Sequence, residues 1–220
     1  MADRPGWPQI DKIEVSGKIA NHWLTLFILR GLRSPYVTTK LKQNDSQENI
    51  KLVCWLPGEH MESIDIFLPD SKSTRDFGFK LGRILAKNLA DNYLALPFLI
   101  TLSGELGAGK TTVSQGLGEA LGVAEPGEIV SPTFTLANEY RGCWDIFHLD
   151  IYRLETEDQF FEAGLDEYLH RNGICLLEWP EKMPDDFWPG GHLPLTLTFK
   201  DKGRLLSLPA FSWLAELGNN

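Results

Sequence analysis

One eight-residue segment constrains this chain more than any other. Gly104-Glu-Leu-Gly-Ala-Gly-Lys-Thr111 fits G-x-x-x-x-G-K-[ST] at every position. It lies between an apolar run, Phe98-Leu-Ile-Thr-Leu102, and a stretch from Lys110 to about Leu121 with helical character. Phosphate oxygens need several donors converging on a small volume, and consecutive backbone N–H groups supply them only where side chains stay out. Gly104, Gly107 and Gly109 clear that space. The helix aims its positive end at the same anion, Lys110 can reach terminal phosphates, and the Thr111 hydroxyl can ligate Mg²⁺. A buried strand feeding such a loop and helix restricts the fold to the α/β class.

The rest of the chain agrees. Ile64-Asp-Ile-Phe-Leu68 alternates as a strand stopped by Pro69, and Ser73-Thr-Arg-Asp76 opens a helix with Phe77, Leu81, Ile84, Leu85 and Leu89 on one face. Further strands are expected near Gly127–Val130, over Trp144–Leu149 and over Gly173–Leu177, with a helix from Glu155 to about His170. Leu195–Phe199 and Arg204–Leu208 flank Asp-Lys-Gly as a closing hairpin. The alternation predicts a P-loop NTPase-like α/β fold, a mostly parallel sheet flanked by helices with a C-terminal antiparallel hairpin.

Charge divides the chain. Residues 1–60 carry 8 basic and 6 acidic side chains, whereas residues 61–220 carry 13 and 24. The first piece, with Pro and Gly punctuation and a polar run from Lys40 to Asn49, reads as a poorly structured extension. Translation from Met61 would make it an upstream start-site artefact, and a genuine weakly ordered tail is the alternative. The P-loop domain is placed at 61–212, followed by a tail at 213–220. A net charge of −9 argues against a broad basic face for nucleic acid. Three scattered cysteines suggest neither a disulfide framework nor a zinc site, which fits a cytoplasmic setting. The apolar run Trp23–Leu29 is about a third of a membrane span, so no membrane association is expected.

A P-loop needs a further carboxylate from a neighbouring strand end to hold Mg²⁺. Glu178 ends Ile174-Cys-Leu-Leu177 and Asp150 ends Phe147-His-Leu149, at carboxyl ends where open α/β sheets bind ligands. Ser131-Pro-Thr-Phe-Thr135 offers three hydroxyls, suited either to a nucleotide switch or to a plain turn. His148 is read as packed against the sheet, since no second His or Cys stands at ligand spacing. Arg153 suits phosphate or a carboxylate, and Trp179 suits stacking on a base or filling a pocket.

Four segments together, Glu105-Leu-Gly-Ala-Gly-Lys-Thr-Thr112, Ser131-Pro-Thr-Phe-Thr-Leu136, His148-Leu-Asp-Ile-Tyr-Arg-Leu154 and Leu177-Glu-Trp-Pro-Glu181, resemble the TsaE (YjeE) family. This family is the ATPase subunit of bacterial tRNA threonylcarbamoyladenosine biosynthesis. The resemblance covers about residues 62–210. It implies ATP and Mg²⁺ as cofactors, and as partners a threonylcarbamoyltransferase subunit and its paralogue-like companion, with tRNA engaged indirectly through the complex. By motif it assigns ATP binding to Glu105, Leu106, Gly107, Ala108, Gly109, Lys110, Thr111 and Thr112. It gives Mg²⁺ to Thr111 and Glu178, catalytic roles to Lys110, Asp150 and Glu178, and the switch to Ser131 and Thr133. Nucleotide contacts near Ser71 and from the Gly203-Arg204 turn are also implied. A free-standing P-loop kinase would need more clustered arginines than Arg153, Arg171 and Arg204 downstream of Asp150. A nucleotide-gated binding module is the third reading.

Overall fold

The computed structural model describes residues 38–41, 50–53, 63–123, 129–184, 186–189 and 191–217. Contacts divide the chain into two units, Met1–His60 and Met61–Asn220. In the first, strands β1 (Thr38–Leu41) and β2 (Ile50–Val53) pair antiparallel, from Thr38 opposite Val53 to Leu41 opposite Ile50. Sequence reading expects no regular element there, because four-residue strands are too short for their alternation to stand out.

The second unit is built on a seven-stranded sheet. Its strands are β3 (Ser63–Leu68), β4 (Phe98–Ser103), β5 (Ala137–Arg141), β6 (Asp145–Asp150), β7 (Ile174–Glu178), β8 (Leu193–Lys200) and β9 (Gly203–Pro209). They are ordered β3-β9-β8-β4-β7-β6-β5. The central four, β8-β4-β7-β6, are parallel, and β9 and β3 on one side and β5 on the other join antiparallel. The expected α/β architecture with its closing hairpin is present.

Alternation along the parallel strands sorts two cores. Phe98, Ile100 and Leu102 of β4 and Ile174 and Leu176 of β7 face helices α1 (Ser71–Ala90) and α2 (Lys110–Ala120). Leu99, Cys175 and Leu177 face the opposite way, into a cluster with Phe147, Phe160, Met183 and Trp188. Helices α1 and α2 approach through glycines: a Cβ on Gly78 would lie 2.3 Å from the Val113 carbonyl oxygen, and one on Gly116 2.1 Å from that of Arg75.

Three expectations are corrected. Of the strand expected near Gly127–Val130, residues 127 and 128 lie outside the described residues, and Ile129 and Val130 are not in a strand. Side chains satisfy their backbone instead: Gln115 Nε2 donates to the Ile129 carbonyl, and the Val130 N–H donates to the Tyr140 hydroxyl. The helix expected over 155–170 is two pieces, α3 (Glu157–Glu162) and a 3₁₀ helix at Leu165–Leu169, separated by Gly164 at φ +67°. The tail expected from residue 213 is instead largely a 3₁₀ helix, Ser212–Leu217, whose Trp213, Leu214 and Leu217 are buried against the α1 side of the sheet. Trp213 meets Phe98 edge to face, with centroids 6.0 Å apart. An unrecognised apolar triad, Trp213-Leu214-Leu217, carries that segment into the core.

Candidate nucleotide site

The site grows from the carboxyl ends of β4, β6 and β7, which stand side by side in the sheet. β4 runs into the glycine loop and then α2. Gly104 is held at φ +138°, where a Cβ would collide with the Leu197 carbonyl oxygen at 2.3 Å. Gly109 is the N-cap of α2 at φ +106°, and no side chain caps that helix. Its first-turn amides are thus left for an anion. Leu106 is strongly exposed, and Ala108 is fully buried beneath the loop.

Lys110 is 4% exposed and folds back into its own loop, donating to the carbonyls of Gly104 at 2.6 Å and Glu105 at 3.0 Å. Its ammonium lies 3.5 Å from the centroid of the Trp179 ring, which in turn packs on Tyr152 at 4.7 Å. Burial pushes the Lys110 pKa down, against the pull of Glu178, Glu181 and Asp150. The buried ammonium is the positive group at this loop, and a phosphate would pair with it.

Thr111 Oγ1 donates to Glu178 Oε1 at 2.8 Å. Its single proton is spent there, so its lone pairs remain for a cation. Glu178 is 3% exposed, and the β6–β7 register sets it directly opposite Asp150. Hydroxyl and carboxylate oxygen are the hard donors that Mg²⁺ takes, so the residues present fit that ion.

Asp150 does different work. Its Oδ2 accepts from Ser131 Oγ at 2.6 Å and Thr133 Oγ1 at 2.7 Å, and its Oδ1 accepts the Tyr152 N–H at 3.0 Å. The structure thus joins Ser131 and Thr133 to Asp150, tying the loop after Val130 to the strand end. Asp150 N–H also donates to the carbonyl of Leu136, a residue at φ +65°. Arg153 lies over the Phe134 ring at 4.3 Å.

α1 and β9 bring residues of both expected neighbourhoods, near Ser71 and at the Gly203-Arg204 turn, beside the loop. Ser71 is an exposed residue at the start of α1, and Gly203 packs against the Leu68 carbonyl. The groups beside Gly109 are Thr74 Cγ2, 3.2 Å from where its Cβ would lie, and Arg204 Cδ and Nε, both 3.6 Å away. Arg204 Nη1 donates to Thr74 Oγ1 at 3.1 Å, while its buried Nε has no hydrogen-bond partner among the described residues.

Two further residues escape a reading by motif role. His148 Nε2 lies 2.8 Å from Glu178 Oε1, fully buried. Glu181 Oε1 accepts the Gly104 N–H at 3.3 Å, lending a carboxylate to the loop's first amide. His148 could have been found from parity: H-x-D on one strand puts both side chains on the same face. No such signal marks Glu181, which lies beyond the strand end in a 3₁₀ turn.

Comparisons with known proteins bear on this site. The family model described as threonylcarbamoyl adenosine biosynthesis protein TsaE matches residues 68–205. A tRNA threonylcarbamoyladenosine biosynthesis protein TsaE from Nostoc sp. is 42% identical over 143 residues, 63% of this chain and 80% of that protein. The protein of the same name from Haemophilus influenzae is 34% identical over 151 residues, 68% of this chain and 91% of its own length. The crystal structure of Bacillus subtilis YdiB superposes with a TM-score of 0.52 at 26% identity, covering 73% of this chain and 93% of that one.

Proposed function

Because the chain belongs to the TsaE family of threonylcarbamoyl adenosine biosynthesis proteins, we propose that it is a cytoplasmic, Mg²⁺-dependent P-loop ATPase. In this reading it supports formation of the threonylcarbamoyl group on N6 of the adenosine next to the anticodon in tRNAs that read codons beginning with A. It acts with the transferase subunit and its paralogue-like companion, which carry the tRNA and the transfer chemistry. The observation that carries the reading is the Thr111–Glu178 hydrogen bond at the mouth of a complete glycine loop.

The residues divide the work. The amides from Glu105 to Thr112 and the Lys110 ammonium bind the phosphates, and Lys110 leaves the Gly104 and Glu105 carbonyls to do so. Thr111 and Glu178 hold Mg²⁺, which neutralises charge that builds on the phosphates when bound. Thr74 and Arg204 flank the loop at Gly109. Ser131 and Thr133 each have one hydroxyl proton, held within the cluster they form with each other and Asp150 Oδ2, and donation to a phosphate oxygen takes a proton out of that cluster. That exchange is the switch: the loop's anchor on β6 depends on what occupies the site. An acidic chain suits a role exercised through protein partners, since tRNA affinity of its own would call for basic contacts.

The test is steady-state ATP hydrolysis by the full chain, alone and with the two partner subunits. Slow turnover alone, strongly raised by the partners and absent in Glu178→Ala, is expected. Full turnover alone with a metabolite acceptor would replace this reading with a kinase.

A further inference from the structure

His148 is an expensive residue in its position. It is fully buried on β6, paired with the fully buried Leu176 of β7 on one side and with Asn138 of β5 on the other. Its Nδ1 has no hydrogen-bond partner among the described residues. An apolar side chain of similar size would fill the same volume without desolvating two ring nitrogens. The compensation lies at the other nitrogen, where Nε2 and Glu178 Oε1 are 2.8 Å apart. A carboxylate oxygen accepts, so in this pair Nε2 is the donor.

Two donors therefore converge on one oxygen, Thr111 from α2 and His148 from the floor of the sheet, each at 2.8 Å. Among the described residues none donates to Oε2. The pleat explains the placement: His148 pairs with Leu176 and Asp150 with Glu178, so the histidine stands diagonally behind the acid on the same face. A glutamate gripped at one oxygen from two directions cannot swing about its terminal torsion, and its second oxygen is presented in one orientation. We propose that His148 is a positioning residue that fixes Glu178 for Mg²⁺ at the nucleotide site. The assignment rests on the nucleotide and metal reading given above. Partners that orient a metal-binding carboxylate typically contribute ten- to a hundredfold in metal affinity, about the size of effect expected here.

The test compares the full chain with His148→Leu, His148→Asn and His148→Gln. Glutamine can place an amide N–H near the Nε2 position; asparagine is too short, and leucine has no donor. The readouts are the Mg²⁺ concentration for half-maximal enhancement of ADP binding, the ADP affinity in excess chelator, and the thermal midpoint. The leucine and asparagine variants should raise the Mg²⁺ midpoint about ten- to a hundredfold with chelator-measured ADP affinity unchanged, and glutamine should restore most of the loss. A purely structural histidine would shift the thermal midpoint and both affinities together, with glutamine no better than asparagine, and that result overturns the assignment. If leucine prevents folding, the asparagine–glutamine pair decides alone. A wild-type chain whose ADP affinity ignores Mg²⁺ would overturn the underlying metal reading, and the assignment with it.

Discussion

The close approach of α1 and α2 makes Gly116→Ala a sharp probe of the scaffold beneath the phosphate loop. A Cβ there would lie 2.1 Å from the Arg75 carbonyl oxygen and 2.7 Å from the Phe79 nitrogen. Both obstacles are backbone, so no rotamer change relieves them, and the helices must part by roughly 1 Å to restore ordinary contact. Overpacking of this kind costs about 3 kcal/mol at the upper end of the usual range. Alanine recovers about 1 kcal/mol of helix propensity over glycine. The net loss of about 2 kcal/mol should lower the thermal midpoint by about 4–8 °C for a domain of this size. Gly118→Ala on the same helix is the control. Its Cβ would strike the Ile129 Cδ1 tip at 2.0 Å, a side-chain end that can move aside, so it should cost less despite the shorter distance. Circular-dichroism melts of both variants measure the difference. A Gly116→Ala midpoint at or above wild type, or below it by no more than Gly118→Ala, would refute the helix packing described. Because Gly116 is six residues, about 9 Å, from Lys110 along α2, the same variant should weaken nucleotide binding.

Two other outcomes follow from the buried groups. Lys110 has its pKa lowered by burial, so between its folded value and 10.5 the unfolded chain binds more protons than the native one. Wild type should thus gain stability relative to Lys110→Met as pH rises toward 10.5, read from urea melts without nucleotide; a difference independent of pH would contradict it. Trp213→Ala should cost about 3 kcal/mol through the lost contact with Phe98 and the cavity left behind. An unchanged melt would return residues 213–217 to the status of a tail.

How far the sequence discloses this molecule varies by element, for physical reasons. The loop and its strand and helix are plain because their requirements are local: an apolar run buried on both faces, glycines where side chains would collide, a lysine and threonine opening a helix. Asp150 and Glu178 are visible as acids ending strands, but their adjacency depends on β6 and β7 pairing parallel, which no local pattern encodes. β5, Ala-Asn-Glu-Tyr-Arg, is a half-exposed edge strand without an apolar run. Ile129 misleads in the opposite sense: one buried side chain seated over Gly118 imitates a strand. Gly164 breaks a convincing helical period because a left-handed residue ends α3. His148 is hidden when histidines are judged by ligand spacing along the chain; its partner is 30 residues away, on the next strand.

Under the proposed function, nucleotide turnover at Lys110, Thr111 and Glu178 supports tRNA threonylcarbamoylation in cells. The most direct measurement is the threonylcarbamoyladenosine content of bulk tRNA in cells depleted of their own TsaE-family ATPase and supplied with this chain. Wild type should restore the modified nucleoside, and Lys110→Ala, expressed to the same level, should not. Restoration by Lys110→Ala to the wild-type level would show that nucleotide turnover at this loop is not required for the modification.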